Sequence, residues 1–263
     1  MNLVLRLCPC AAGESLPLLR ADVSRPVGLR AHRAVSPPHS LPFMPVGIQL
    51  VQSHESHDAR FAVTGHIRLP SHPHALCCPL LTARTDMPPG DECALETRKE
   101  GRSLAWVTLS DKGFRGERED KSGPAIAEMV AQTLPLCHSQ GFLLPDEPGM
   151  LRALLTDLAL TEGYDLICTT GGTGLSPRDI SPQVTAGVID LPLPGLRHAM
   201  LAAGLAVTPH AAISRAEAGV LGQSIIINLP GSHKAVRENL AAVLPALPHA
   251  LDKLHSDPTD CGG

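Results

Sequence analysis

A chain of 263 residues with a formal net charge of −4 and a pI near 6.3 offers no basic footprint for nucleic acid or for an anionic membrane. No apolar run reaches the ~18 residues that a bilayer span requires. The N-terminus lacks the unbroken apolar core of a signal peptide, so a cytoplasmic protein with no nucleic-acid and no membrane partner is expected. Hydrophobic residues make up 43% of the chain but aromatic ones only 2%, so the core must be built from Leu, Val, Ile and Ala. The eight cysteines are irregularly spaced. Cys137 and Cys168 fall in apolar segments, where cysteine behaves as a small buried hydrophobe, and this usage fits a reducing compartment.

Residues 1–45 carry repeated Pro and Arg, as in Ser36-Pro37-Pro38, with no sustained period of two or 3.6, and are expected to hold little regular structure. Met44 precedes more ordered-looking sequence, which makes it a candidate start that N-terminal sequencing of native protein would test. Between 46 and 95, short segments alternate in character: Gly47-Ile48-Gln49-Leu50-Val51, Arg60-Phe61-Ala62-Val63-Thr64 and His66-Ile67-Arg68-Leu69, separated by Pro or Gly. That is the pattern of a small β-rich unit, here placed at 46–101 with a charged linker at 96–102. His54, His57, His66, His72, His74, Cys77 and Cys78 cluster within it. Imidazole and thiolate both bind Zn²⁺, but no recognised ligand spacing is present, and a structural β module accounts for the same residues.

After Arg102 the pattern becomes alternating strands and helices. The run 104–109 suits a buried strand, and Ile126, Met129, Val130 and Leu134 share one face of a helix that Ser122 is placed to cap, with Pro124 in its first turn. Strands are expected at 141–144, 165–169 and 224–229, and helices at 149–161, at 196–206 and after 233, where Val236, Leu240, Val243, Leu244 and Leu247 lie on one face. Such alternation predicts an α/β domain over 102–256 with a largely parallel sheet, followed by a flexible tail at 257–263. In such sheets ligands bind beyond the carboxyl ends of the strands, so the loops that follow strands carry the chemistry.

The most informative of these is Thr169-Thr170-Gly171-Gly172-Thr173-Gly174. Its glycines allow positive φ and close approach of N–H groups to a phosphate, with threonine hydroxyls as further donors, although a tight turn has the same composition. Its continuation contains Ser176, Arg178 and Asp179, an arginine for polyphosphate and a carboxylate for Mg²⁺, or simply a surface turn. Asp146-Glu147 follows another strand on the same rim; Asp146 and Asp179 are candidates to share one metal or divide metal binding and proton handling, whereas helix capping is the plainer role for the pair. Ser110-Asp111-Lys112 and Asp120-Lys121-Ser122-Gly123 flank a polar loop. Pro230-Gly231-Ser232 leaves the last strand at the start of the last helix, where an anion or a base edge is readily held.

In this order, SDKGFRGEREDKSGP at Ser110, LLPDE at Leu143, TTGGTGLSPRD at Thr169, TPHAAISRAEAG at Thr208, INLPGSHKAVREN at Ile227 and LPALPHAL at Leu244 resemble the molybdopterin adenylyltransferase family, which includes the N-terminal domain of gephyrin. The resemblance runs over residues 104–254. It implies a three-layer αβα sandwich of molybdopterin-binding type and transfer of AMP from ATP to the terminal phosphate of molybdopterin, with Mg²⁺ as cofactor. Asp146 and Asp179 match the family's important aspartates, catalytic and metal-holding. Ser110, Asp111, Thr170, Gly171, Gly172, Thr173, Gly174, Ser176, Arg178, Pro230, Gly231 and Ser232 match its nucleotide- and pterin-binding segments. Relatives are commonly trimers, so a homotrimer working beside other molybdenum-cofactor enzymes is implied. The chain departs from the pattern at Ser181-Pro182-Gln183-Val184-Thr185 and Leu191-Pro192-Leu193-Pro194-Gly195, where relatives carry one or two acidic residues. That departure leaves a non-catalytic molybdopterin carrier as the competing reading. A third reading has residues 1–101 recruit a partner enzyme, with deletion leaving the reaction intact.

Overall fold

In the computed structural model the described residues are 2–23, 26–37, 41–52, 58–70, 74–88, 90 and 92–255. The chain divides into two units, Met1–Glu100 and Gly101–Gly263.

The first unit is a closed barrel of seven strands: β1 (Asn2–Arg6), β2 (Ser15–Arg20), β3 (His32–Ser36), β4 (Gln49–Gln52), β5 (Ala59–Leu69), β6 (Leu76–Ala83) and β7 (Glu92–Arg98), in the order β1-β3-β2-β6-β5-β4-β7. Closure leaves no edge strand to template pairing with another chain. The interior is apolar, with Leu3, Leu5, Leu18, Leu50, Phe61, Leu81 and Leu95 fully buried. Three strands therefore lie where little regular structure was expected, in residues 1–45. They are five or six residues long, and in so short a run the alternation of Leu3 and Leu5 carries too few repeats to stand out from proline-rich surroundings.

Two further expectations for this unit are corrected. Residues 60–69 form one strand, β5, because Gly65 sits at a register shift between Val63 and Gly65, a bulge in the ladder with β6, and does not separate two strands. The charged linker at 96–102 is largely strand, since β7 ends at Arg98 and the next strand begins at Arg102; its charges mark half-buried strand positions. Of the His/Cys cluster, His54, His57 and His72 lie outside the described residues, as does the tail at 257–263. Cys77 and Cys78 are successive residues of β6, one exposed and one buried, so they project to opposite faces and do not converge on one ion. Among the described residues no group of three or more His, Cys, Asp or Glu is arranged to hold a metal.

The second unit contains β8 (Arg102–Leu109), β9 (Leu136–Leu144), β10 (Leu166–Thr170), β11 (Leu191–Pro192), β12 (Ala218–Leu221) and β13 (Ser224–Leu229), with helices α1 (Asp111–Phe114), α2 (Ser122–Ala131), α3 (Pro148–Asp157), α4 (Ser181–Ala186), α5 (Pro194–Val207), α6 (His233–Val243) and α7 (Leu247–Leu254). The sheet order is β11-β12-β13-β10-β8-β9. Strand β10 pairs in parallel with β8 and β13, and β8 in parallel with β9, while β12 pairs antiparallel with both β11 and β13. The sheet is thus mixed, not simply parallel. Its antiparallel half follows from the two-residue connection between β12 and β13, in which Gly222 takes φ +58°, too short for any crossover.

Every residue of β10 and of β13 is buried, so both faces of these strands are covered. On one face Leu104, Cys168, Ile225 and Ile227 pack with Ile126 and Val130 of α2, Val236 and Leu240 of α6, and Leu247 and Leu251 of α7. Burial pushes the Cys168 thiol up to about 12, which keeps it neutral. Trp106 of β8 is held between two glycines: a Cβ at Gly123 or Gly141 would come within 2.5 Å of the indole. At the base of the sheet the buried Asp165 accepts from Ser103 N at 2.6 Å and Ser103 Oγ at 2.8 Å, tying β8 to the start of β10.

Candidate functional site

The loops after β8, β9, β10 and β13 converge on a cavity of about 850 Å³ at the carboxyl ends of the parallel strands. Its walls include Ser110, Asp111, Asp120, Ser122, Asp146, Thr170, Gly171, Gly172, Arg178, Asp179, Gly231 and Ser232. Four segments separated in sequence therefore meet at one rim, as parallel strand ends require. Thr173, Gly174, Ser176 and Pro230 are not among the walls, although Ser176 N donates to Asp179 and Pro230 O accepts from Thr170.

The glycine loop owes its shape to close packing. Gly171 and Gly172 have φ of +96° and +65°. A Cβ on Gly171 would lie 2.5 Å from Leu109 O, and one on Gly172 would lie 2.8 Å from Ser181 Oγ. Ser181 clamps the loop's two ends, its hydroxyl donating to Gly171 O at 2.7 Å and its amide to Gly172 O at 3.1 Å. Two expected donors are already engaged. Gly171 N donates to Leu229 O at 3.2 Å, and Thr170 Oγ1 donates to Pro230 O at 2.7 Å, linking this loop to the Pro-Gly-Ser turn. Thr170 thus braces the cradle with its hydroxyl engaged by Pro230 O, and Thr173 is buried and not among the cavity walls.

Asp146 and Asp111 form a reciprocal clasp. Asp111 N donates to Asp146 Oδ2 at 3.3 Å, and Asp146 N donates to Asp111 Oδ1 at 3.1 Å. Asp146 therefore does not cap α3, whose N-cap position is Glu147 with no side-chain capping bond. Arg178 pairs with the free side of Asp111 and reaches Glu147 at 3.8 Å. Partial burial, reinforced by the charges of Asp111 and Asp179 and opposed by the Asp111 amide and Arg178, raises the Asp146 carboxyl from its ordinary value. The Asp111 carboxyl is lowered, chiefly by the amide of Asp146 and then by Arg178. Asp179 Oδ2 accepts from Ser176 N at 2.7 Å, and among the described residues no group donates to its Oδ1.

Two residues of the polar loop after β8 have duties that sequence reading assigned elsewhere. Asp120, not Ser122, caps α2: its Oδ1 accepts from Ser122 N and Gly123 N, both at 3.0 Å, while Oδ2 accepts from Thr108 Oγ1 at 2.6 Å. Ser122 lies inside the helix and donates its hydroxyl to Gly231 O at 3.2 Å. Ser110 Oγ caps α1 and Ser232 Oγ caps α6, accepting from Gly113 N and Ala235 N; each hydroxyl keeps its proton for a ligand. Lys112, Arg118, Lys121 and His233 also line the cavity, and of these Arg118 went unremarked in the sequence. Its only signal is membership of a loop that follows a strand.

Comparison with known proteins identifies the arrangement. The family profile described as "Probable molybdopterin binding domain" matches residues 105–249. The chain belongs to this family. It is 40% identical over 152 residues to a molybdopterin adenylyltransferase of Helicobacter pylori, covering 57% of this chain and 85% of that one. It is 38% identical over 170 residues to gephyrin of Dictyostelium discoideum, covering 61% of this chain but only 24% of gephyrin. Among solved structures, the molybdopterin biosynthesis enzyme MoaB of Thermus thermophilus superposes with a TM-score of 0.54 at 46% identity, over 61% of this chain and 99% of that one. Residues 1–100 lie outside the family match.

Proposed function

We propose that the second unit is a molybdopterin adenylyltransferase. A terminal phosphate oxygen of molybdopterin attacks the α-phosphorus of ATP, a new P–O bond forms, and the bond to the β-phosphate breaks to release pyrophosphate. The observation that carries this reading is the meeting of Asp146 and Asp179 with the Gly171-Gly172 turn and Arg178 around one cavity.

The donor set fits Mg²⁺, a hard cation usually held by one or two carboxylates together with substrate phosphates and water. Asp146 and Asp179 would hold it, supplying neutralisation of phosphate charge during transfer. The other steps belong to the chain. The glycine turn lets a polyphosphate approach the backbone without a Cβ in the way. Arg178 is half exposed and, among the described residues, its side chain is tethered only to carboxylates, so it is free to exchange Asp111 for a phosphate oxygen and orient it with its planar fork. Ser232 and the N-terminus of α6 offer donors for part of the pterin or the nucleotide.

The residues where acidic groups are missing, Gln183, Leu191 and Leu193, are not among the cavity walls, which supports catalysis over a carrier role. Helices covering both faces of the sheet support the three-layer reading. A cytoplasmic homotrimer beside other cofactor-synthesis enzymes belongs to the same proposal and rests on the family resemblance; among the described residues no helix is long and apolar enough to cross a membrane. The test is pyrophosphate release from molybdopterin, ATP and Mg²⁺. Asp179→Ala should reduce turnover by on the order of 10²-fold or more with the fold intact. Pterin binding by calorimetry without any pyrophosphate would make the protein a carrier.

A further inference from the structure

Asp179 sits on a segment, 174–179, that belongs to no helix or strand. Its internal bonds close only on itself: Asp179 N donates to Ser176 O at 2.8 Å, Ser176 N to Asp179 Oδ2, and Arg178 N to Ser176 Oγ at 3.3 Å. Such a self-closed turn keeps its own shape but does not determine where that shape sits relative to the cavity. Among the described residues, side chains from outside grip this segment at two places. At one, Asp111 and Glu147 hold Arg178. At the other stands Arg215, from the connection between α5 and β12.

Arg215 holds both arms of the segment. Its Nε and Nη2 donate to Gly174 O at 2.8 and 2.6 Å, and the same Nη2 donates to Asp179 O at 2.8 Å. Its own amide donates to Thr173 O at 3.0 Å. Among the described residues no carboxylate forms an ion pair with it. A partly buried guanidinium whose bonds go to carbonyls and not to a carboxylate acts through geometry, and one fork that spans the first and last carbonyl of a turn fixes that turn as a body.

We propose that Arg215 is a positioning residue that holds the Asp179 turn against the cavity. Its importance grows when substrate arrives, a consequence that rests on the adenylyl-transfer reading: phosphate draws Arg178 off Asp111, one of the two grips is lost, and Arg215 alone keeps Asp179 in register with Asp146. Lysine cannot substitute, because one ammonium on a flexible stem does not reproduce a planar fork that bonds two carbonyls.

The test uses the full chain with Arg215→Ala and Arg215→Lys. Amide exchange across 173–180 is expected to accelerate at least tenfold in both, with the thermal midpoint of the second unit, followed by Trp106 fluorescence, little changed. The Mg²⁺ concentration for half-maximal pyrophosphate release is expected to rise at least tenfold, and millimolar guanidinium ion to restore part of the loss in Arg215→Ala but not in Arg215→Lys. Folded variants with wild-type exchange and wild-type Mg²⁺ dependence would overturn the proposal. Should Arg215→Ala fail to fold, Arg215→Lys decides by the same two readouts. A wild-type protein that releases no pyrophosphate defeats the functional reading, while the exchange measurement still decides whether Arg215 holds the turn.

Discussion

Two side chains show how environment, not residue type, sets protonation in this chain. Asp146 is raised by burial and by neighbouring carboxylates, and Arg178 is one of the groups opposing that rise. Replacing Arg178 by Met should therefore push the Asp146 carboxyl higher still. If transfer needs Asp146 ionised, the acid limb of the rate profile moves to higher pH, with turnover at neutral pH falling on the order of 10²-fold. A pH–rate profile of Arg178→Met with an unmoved acid limb would remove Asp146 from that role. His32 is the opposite case. Cys8 N donates to its Nδ1 at 3.2 Å, so the ring proton sits on Nε2, which finds no acceptor among the described residues, and Phe61 packs edge-on with centroids 4.8 Å apart. Burial lowers its pKa to about 4. Because the folded value lies below the unfolded one, the unfolded chain binds the extra proton, and stability falls as pH drops from about 6.5 to 4, by roughly 3 kcal/mol. His32→Asn keeps an acceptor near Nδ1 and cannot titrate there, so it should flatten this acid limb in denaturant unfolding followed at the barrel's amides.

At the scale of elements, parallel strands β8, β9, β10 and β13 send their loops to one rim, and this much was legible from runs such as 104–109 and 224–229. The expected strand at 141–144 begins five residues earlier, at Leu136; His138, Ser139 and Gln140 are polar, with the last two exposed, and they separate Leu136 and Cys137 from the apolar run that was legible. Strand β12 was missed altogether: Ala218–Leu221 is four residues long, and its identity as a strand comes from pairing with β13. Gly123 and Gly141 drew no attention in the sequence, yet both are sterically required by Trp106. Gly141→Ala should destabilise the second unit by about 1–3 kcal/mol. As Trp106 is the only tryptophan, a changed emission spectrum together with a lower denaturation midpoint checks this; an unchanged midpoint would mean that the indole moves aside freely.

For the molecule as a whole, the barrel sets what a truncation at Met44 would do. A chain beginning at Met44 loses β1, β2 and β3, three of seven strands, and leaves β6 and β7 as open edges of a four-stranded remnant. Met44 itself is buried in the barrel core. Such a chain should aggregate or bind hydrophobic dye, because unpaired edges template further pairing and the exposed interior is apolar. Size-exclusion chromatography of residues 44–263 beside the full chain checks it, and a monodisperse, dye-silent product would show that the remnant closes in another way.

The sequence by itself determined the α/β character of the second unit and that the loops following its parallel strands, those of Asp146, Asp179 and the glycine turn among them, lie on one rim. These are properties of local periodicity and of loops that follow strands, both encoded over a few neighbouring residues. Only tertiary structure decided that β1, β2 and β3 are three of the seven strands of a barrel, that the sheet is mixed, and that Asp111 clasps Asp146. It also moved the cap of α2 from Ser122 to Asp120 and joined Arg215 to the Asp179 turn. Each of these depends on groups far apart in the chain meeting at hydrogen-bonding distance, and no window of local sequence contains both partners.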